Sequence, residues 1–179
     1  EDGWIPLETY TVSGTSTSEY DFETAGDFDG TYHRLMLSIN DLSLTAGGEN
    51  LQLQVKMGGS YKTDQQYVFH VISGGSDSSD VNGYVHSGTG SSELKINHSM
   101  EEDAAGTQQG FIFCDNPAAT GDRPCFHWES AGHDNSLNNN HFIGTGVYQG
   151  ATTALQGIKI KCSSGNFDSG TITLYGLKK

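Results

Sequence analysis

The sequence predicts a single all-β domain over residues 1–179, folded as an antiparallel two-sheet β-sandwich of jelly-roll type with about ten strands. Short segments alternate apolar and polar residues along the chain. Glycine makes up 24 of the 179 residues and clusters with Ser, Thr, Asn and Asp at short intervals. These clusters favour turns, because such residues tolerate positive φ angles or hydrogen-bond to their own backbone. Frequent turns between alternating segments are typical of a sandwich or barrel.

The alternation places the predicted strands in order along the chain. Glu19–Glu23 carries Tyr20 and Phe22 on one face, and Leu51–Met57 is the clearest strand, since every second residue is apolar and Gln or Lys lies between. The predicted strands are Thr9–Val12, Glu19–Glu23, Tyr32–Asn40, Leu51–Met57, Tyr67–Ile72, Glu93–Asn97, Gly110–Cys114, Cys125–Trp128, His141–Tyr148, Leu155–Cys162 and Gly170–Leu177.

Glycine marks irregular positions in two later strands. Gly144 and Gly146 interrupt His141–Tyr148. Gly157 breaks the alternation of Leu155–Cys162 in the way that a β-bulge would.

The turn-rich stretches predict the connections between strands. Ser164–Gly170 is predicted to be a hairpin connection with glycines at the tight positions. The longest stretches, 73–92 and 115–140, are predicted to be long strand-to-strand loops, which are usually functional or mobile.

The formal net charge of −13 argues against nucleic-acid binding, because an acidic surface repels the phosphate backbone. Residues 159–179 are the exception, with four lysines against Asp168 alone. A basic edge strand that prevents edge-to-edge pairing is one interpretation, and a docking edge for an acidic partner is the other. No apolar run reaches the ~18 residues of a membrane span, so membrane insertion is not expected.

Three cysteines do not form a disulfide framework, because their number is small and odd. Cys114 and Cys125 flank residues 115–124 and would pair if they faced each other across neighbouring strands. Free buried thiols are the alternative.

No catalytic residues and no cofactor are predicted, because the motif scan finds no activated nucleophile or paired acid and base. His127, His133 and His141 have spacings that match no common zinc pattern. Calcium is the one ion for which the sequence has candidate ligands, the carboxylates of the acidic turns at Asp27–Gly30 and Asp77–Asp80.

Aromatic and amide residues suggest a contact surface for a receptor, a glycan or another subunit. One region combines Trp128, His133, Asn138, Asn139, Asn140 and His141, and a second has Tyr84 and His86. The alternative for Trp128 is a place in the core, which is the more common fate of a large aromatic.

The C-terminal segment carries a family resemblance. Residues 155–177 end in Ser-Gly-Asn-Phe, Ser-Gly-Thr and Leu-Tyr-Gly-Leu, and Gly30–Leu37 and Gly58–Tyr67 repeat the pattern of a turn followed by a Tyr-led strand. Together they resemble bacteriophage virion proteins of the tail-fibre or capsid-decoration type.

The resemblance implies a non-enzymatic structural protein on the surface of a phage particle. Its implied partners are further copies of itself, with a homotrimer expected, other virion proteins and a glycan of the host surface. A secreted carbohydrate-binding β-sandwich module is the alternative function.

Overall fold

In the computed structural model the described residues form thirteen β-strands that pack as two antiparallel sheets, which confirms the predicted all-β sandwich. The structure describes residues 3–24, 26–47, 49–76, 81–97, 107–133 and 139–178, without the side chains of 75–76 and 81–86. The strands are β1 (Trp4–Thr11), β2 (Glu19–Phe22), β3 (Tyr32–Leu44), β4 (Leu51–Met57), β5 (Ser60–Tyr61), β6 (Tyr67–Ser76), β7 (Val81–Ser91), β8 (Leu94–Lys95), β9 (Gln108–Asp115), β10 (Cys125–His133), β11 (Asn139–Tyr148), β12 (Leu155–Cys162) and β13 (Phe167–Lys178).

The larger sheet has eight strands in the order β1-β13-β3-β9-β10-β11-β6-β7. The smaller sheet has the order β2-β12-β4-β5, and β8 pairs with β4 as its fifth strand. The chain crosses repeatedly from one sheet to the other, as it does in a jelly roll.

The core lies between the two sheets and follows from the alternation of each strand. In β3 the inward side chains are Leu35, Leu37 and Ile39, each at most 2% exposed. Residues of the two inner faces interdigitate and exclude water, and this burial of apolar surface supplies most of the driving force for folding.

Two buried side chains of the larger sheet, Tyr67 and Trp128, form hydrogen bonds with backbone groups on the side of the smaller sheet. The Tyr67 hydroxyl on β6 accepts the backbone N–H of Val55 on β4 at 2.9 Å and donates to the Lys62 carbonyl at 3.1 Å. The Trp128 indole N–H on β10 donates to the Ile96 carbonyl at 2.7 Å.

Glycines in the strands make room for aromatic rings on neighbouring strands. Gly144 lies opposite Trp128, and a Cβ added there would come within 2.3 Å of two ring carbons. Gly88 lies opposite Phe69 in the same way, and a Cβ added to Gly88 would come within 2.4 Å of a carbon of the Phe69 ring. An aromatic that covers a cross-strand glycine restores the packing that the glycine lacks.

The predicted long loops are mostly strands, so that prediction is wrong. Of 73–92, residues 73–76 end β6 and residues 81–91 form β7, which pairs with it. Of 115–140, residues 125–133 form β10. β7 is poor in apolar residues of its own, and its ladder with β6 and the Phe69 ring hold it in the sheet. β10, by contrast, buries Phe126 and Trp128 in the core.

The predicted bulge at Gly157 is confirmed, since the pairing of β12 with β4 shifts register between Leu155 and Gly157. The predicted hairpin at Ser164–Gly170 is wrong. β12 belongs to the five-stranded sheet and β13 to the eight-stranded sheet, so this segment is a crossover between them.

The basic segment is likewise not at an edge. β12 lies between β2 and β4, and β13 lies between β1 and β3. Lys159 on β12 is paired with Glu19 and Asp21 of β2 instead.

Candidate functional site

The outer face of the eight-stranded sheet is built from residues that alternate with the core positions. Three rows cross its central strands β6, β11, β10, β9 and β3, and their register follows from the antiparallel ladders. The first row is Ile72, Ile143, Glu129, Phe111 and Ser38. The second row is His70, Thr145, His127, Phe113 and Met36. The third row is Val68, Val147, Cys125, Asp115 and Arg34.

The first row leaves three large apolar side chains in contact with water. Ile72 is 51% exposed, Ile143 is 52% exposed and Phe111 is 46% exposed. Ile72 and Ile143 are direct cross-strand partners, so their side chains form one continuous apolar surface.

Aromatic rings and one guanidinium occupy the neighbouring rows. The Phe113 and His127 rings are stacked with centroids 4.9 Å apart, and the ring of Trp4 on β1 lies 6.0 Å from that of Phe113. The Arg34 guanidinium lies 4.8 Å from the Phe113 centroid. These contacts fix the positions of the rings on the face.

The charges of these rows are paired within the face. Arg34 Nε lies 2.8 Å from Asp115, and Arg34 Nη2 lies 3.1 Å from His127 Nε2. Because arginine has no acceptor, Nε2 of His127 is the acceptor of this hydrogen bond. His141 Nε2 lies 2.9 Å from a Glu129 oxygen at the other end of the rows.

The outer face of the five-stranded sheet is different in character. Lys159 Nζ lies 2.7 Å from Glu19 and 3.5 Å from Asp21, and Lys56 Nζ lies 2.6 Å from Glu23. The hydrogen bond from Lys56 lowers the pKa of Glu23, whereas burial raises the pKa of Asp21 against the pull of Lys159. This face is a network of oppositely charged side chains.

Trp128 is a core residue and does not belong to a contact surface, so its predicted role in the site is wrong. It is 2% exposed and its indole N–H is taken by the Ile96 carbonyl. A sugar or a partner protein has no access to its ring.

Three other predicted contact residues come together on one face at the end of the β10–β11 hairpin, and Asn140 points to the other face. Asn139 lies opposite His133, and His141 lies two residues further along β11. Asn140 is half-buried between them, while Asn139 and His141 are exposed. Asn138 lies outside the described residues, as do the side chains of Tyr84 and His86 on β7.

The Cys114–Cys125 disulfide, which the sequence leaves open beside free thiols, is not formed. Phe126 lies opposite Cys114, so Cys125 is displaced by one position and points to the other face of the sheet. Cys114 is buried and Cys125 is exposed, and both are free thiols. Burial raises the pKa of the Cys114 thiol far above its usual range.

The candidate metal ligands are dispersed. His127 and His133 lie on one strand about 20 Å apart, at about 3.3 Å per residue. Among the residues that the structure describes, no group of three or more His, Cys, Asp or Glu is placed to hold a metal ion. Asp29 accepts the Thr31 N–H at 2.9 Å, which is the hydrogen bond of a turn. Asp77–Asp80 lies outside the described residues.

Two adjoining cavities lie beside the β9–β10 loop and share Asn116, Ala119 and Asp122. Their volumes are about 200 and 250 Å³. Pockets for organic ligands usually have about 300–1,000 Å³. Each of the two is therefore small for such a ligand.

Sequence reasoning missed the exposed apolar row, although one signal was present. Phe111, Ile112 and Phe113 are consecutive apolar residues, and neighbours on a strand point to opposite faces. One apolar set therefore had to face away from the core, whichever way the strand was turned.

No helix among the described residues is long and apolar enough to span a membrane. Comparisons of the chain with protein-family models, with curated proteins and with solved structures returned no significant match.

Proposed function

We propose that this chain is a non-enzymatic structural protein on the surface of a bacteriophage particle, as a capsid decoration or as part of a tail fibre. The observation that carries the proposal is the row of Ile72, Ile143 and Phe111, each about half exposed on one sheet face. Exposed apolar patches with polar rims mark surfaces that another protein covers. The resemblance of the C-terminal segment to virion proteins gives the kind of assembly.

The proposed mechanism is docking by shape. A sheet face presents side chains at fixed spacing, about 4.8 Å between strands, so it matches a second rigid surface without rearrangement. The stacked Phe113 and His127 rings and the Arg34–Asp115 pair keep this surface ordered before contact. Little side-chain entropy is then lost on docking.

The proposal is tested by locating the chain in its native source. Phage particles are separated on a density gradient, and each fraction is probed with an antibody against the purified chain. We expect the chain to band with intact particles and the antibody to label their surface in electron micrographs. A chain found only as a free monomer in the cell fraction would contradict the proposal.

A carbohydrate-binding module is the second candidate, and Trp4 is the observation that favours it. Its half-buried ring lies beside Phe113 on the outer face, where the Arg34–Asp115 pair adds hydrogen-bonding groups to an aromatic surface. Sugars stack on such rings, so this function predicts that Trp4→Ala removes glycan-array binding.

Tyr10→Phe is the matched control for this substitution. Tyr10 lies on the same strand, but its ring packs against the core, so the variant should bind glycans as the wild type does. Binding that survives Trp4→Ala would exclude the Trp4 ring as the glycan platform.

A further inference from the structure

We infer that the outer face of the eight-stranded sheet binds the same face of a second copy of this chain. The inference rests on the proposed function and names the partner that its docking surface takes. It is carried by the charge of the face, its area and the position of its apolar row.

The charge distribution favours a second copy. The chain has 22 acidic and 9 basic residues, so two copies repel each other over most orientations. In the three central rows the carboxylates are Asp115 and Glu129. Arg34 forms an ion pair with Asp115, and Nε2 of His141 lies 2.9 Å from a Glu129 oxygen. Two acidic copies therefore approach with least repulsion through this face.

A basic partner would bind elsewhere. Electrostatic attraction would direct such a partner to the acidic surfaces of the chain, not to three rows that carry only two carboxylates and one guanidinium. What the rows offer is apolar surface in Ile72, Ile143 and Phe111, which suits a partner with a matching neutral apolar patch. A second copy has such a patch by definition.

The face is large enough for a stable dimer. Eight strands about 4.8 Å apart and about ten residues long at 3.3 Å per residue give roughly 1,000 Å². A standard protein interface buries about 800 Å² on each partner. Most of the sheet would therefore be covered.

The geometry favours a pair with twofold symmetry. Ile143 lies on β11, with Ile72 beside it on β6 and Glu129 on the other side. When a face meets its own copy about a twofold axis, the same residues are buried on both chains and no equivalent surface is left for a third copy. We therefore expect a dimer with Ile143 in the buried part of the contact.

The test is the mass of the full chain in solution, measured by light scattering over a range of concentrations. We expect a dimer, with twice the 19.2 kDa of the chain, and not the homotrimer that the resemblance implies. Ile143→Lys buries a charge without a partner in each copy, and we expect it to weaken association at least about 100-fold. Because Ile143 is half exposed in the single chain, the melting temperature of the monomer should not change.

Ser60→Lys is the matched control, since Ser60 is exposed on β5 of the other sheet. It adds the same charge and should leave the mass unchanged. An oligomer that survives Ile143→Lys overturns the inference, and so does a wild-type chain that stays monomeric. If that monomeric chain still bands with phage particles, another virion protein covers the face and the proposed function stands.

Cys125 gives an independent readout of the same face. It is the exposed one of the three thiols and lies in the third row, opposite Val147, while Cys114 and Cys162 are buried. We expect maleimide labelling of Cys125 to slow as the chain concentration rises, and Ile143→Lys to abolish this slowing. A labelling rate that does not depend on concentration contradicts the inference.

Discussion

Trp128 and Gly144 are cross-strand partners, and the Trp128 ring fits only because Gly144 has no side chain. The ring fills the space above Gly144, and a methyl group there would lie 2.3 Å from two ring carbons. Gly144→Ala should therefore destabilise the fold by about 1–3 kcal/mol, the usual cost of overpacking a core. Urea unfolding followed by circular dichroism measures the change.

Gly74→Ala is the matched control for this substitution. Gly74 lies on the neighbouring strand β6, and a Cβ added there meets nothing within 4 Å. We expect the free energy of unfolding to stay the same or to rise by about 0.4–1 kcal/mol, because alanine lowers the conformational entropy of the unfolded chain. An equal loss in both variants would show that the strand backbone, and not the Trp128 ring, requires glycine.

The same pair explains what can be predicted for Trp128 from sequence. Phe126 and Trp128 have the same parity on one strand, which is consistent with a core position for both. The polar residues that follow in sequence favour the opposite interpretation. Only the register of β10 with β11 shows that Trp128 lies over a glycine, and register depends on contacts distant in the chain.

At the scale of elements, Tyr67 joins β6 of one sheet to β4 of the other. Tyr67→Phe leaves the buried N–H of Val55 without its acceptor and the Lys62 carbonyl without a donor. We expect a loss of about 1–3 kcal/mol in unfolding free energy, the cost of a buried polar group without a partner. Chemical denaturation of both proteins in parallel is the measurement.

Tyr61→Phe is the control, because the Tyr61 hydroxyl donates to an exposed carboxylate of Glu23 at 3.3 Å. Its removal should cost less than about 0.5 kcal/mol, as for most surface substitutions. If the free energy of unfolding falls equally in Tyr67→Phe and Tyr61→Phe, the hydrogen bonds of the Tyr67 hydroxyl do not stabilise the contact between the sheets.

Strands with their own apolar alternation are predicted well from sequence. The bounds of Leu51–Met57 and Leu155–Cys162 are those of β4 and β12. β7 is not predicted, because its Gly- and Ser-rich sequence has few side chains to bury and Phe69 of β6 covers Gly88. Its place in the sheet comes from a neighbour, and a local pattern does not contain that information.

The whole molecule should lose stability at alkaline pH. Burial raises the pKa of the Cys162 thiol to about 12, and burial together with Asp64 raises the pKa of Tyr148 to about 12. A raised pKa in the folded state means that the neutral form is favoured by folding. Its contribution is complete below the unfolded pKa, about 9 for Cys and 10 for Tyr, and is lost as pH rises toward 12.

Melting temperature measured from pH 7 to 11 should stay level to about pH 9 and then fall. Cys162→Ala removes one buried ionisable group and should make the fall less steep. Cys125→Ala is the control, since this thiol is exposed, and should leave the slope unchanged. Identical slopes in all three proteins would mean that the buried thiol does not couple folding to pH.

The candidate site is a property of the whole sheet, and this is why sequence predicts so little of it. Its three rows join five strands that lie far apart in the chain. The hairpin residues His133, Asn139 and His141 can be grouped from sequence because they are near neighbours in it. Ile72, Phe111 and Ile143 cannot, because only the order of strands brings them into one row.

The pairing of β1 with β13 also sets how the sandwich responds to tension. Trp4 lies opposite Leu177, so these two strand ends leave the sheet at the same side. A pull between them would load one rung of hydrogen bonds at a time and peel β1 from the edge at low force. A pull transmitted through the outer face would instead be shared by the central strands, so the route of attachment decides how much force the protein withstands.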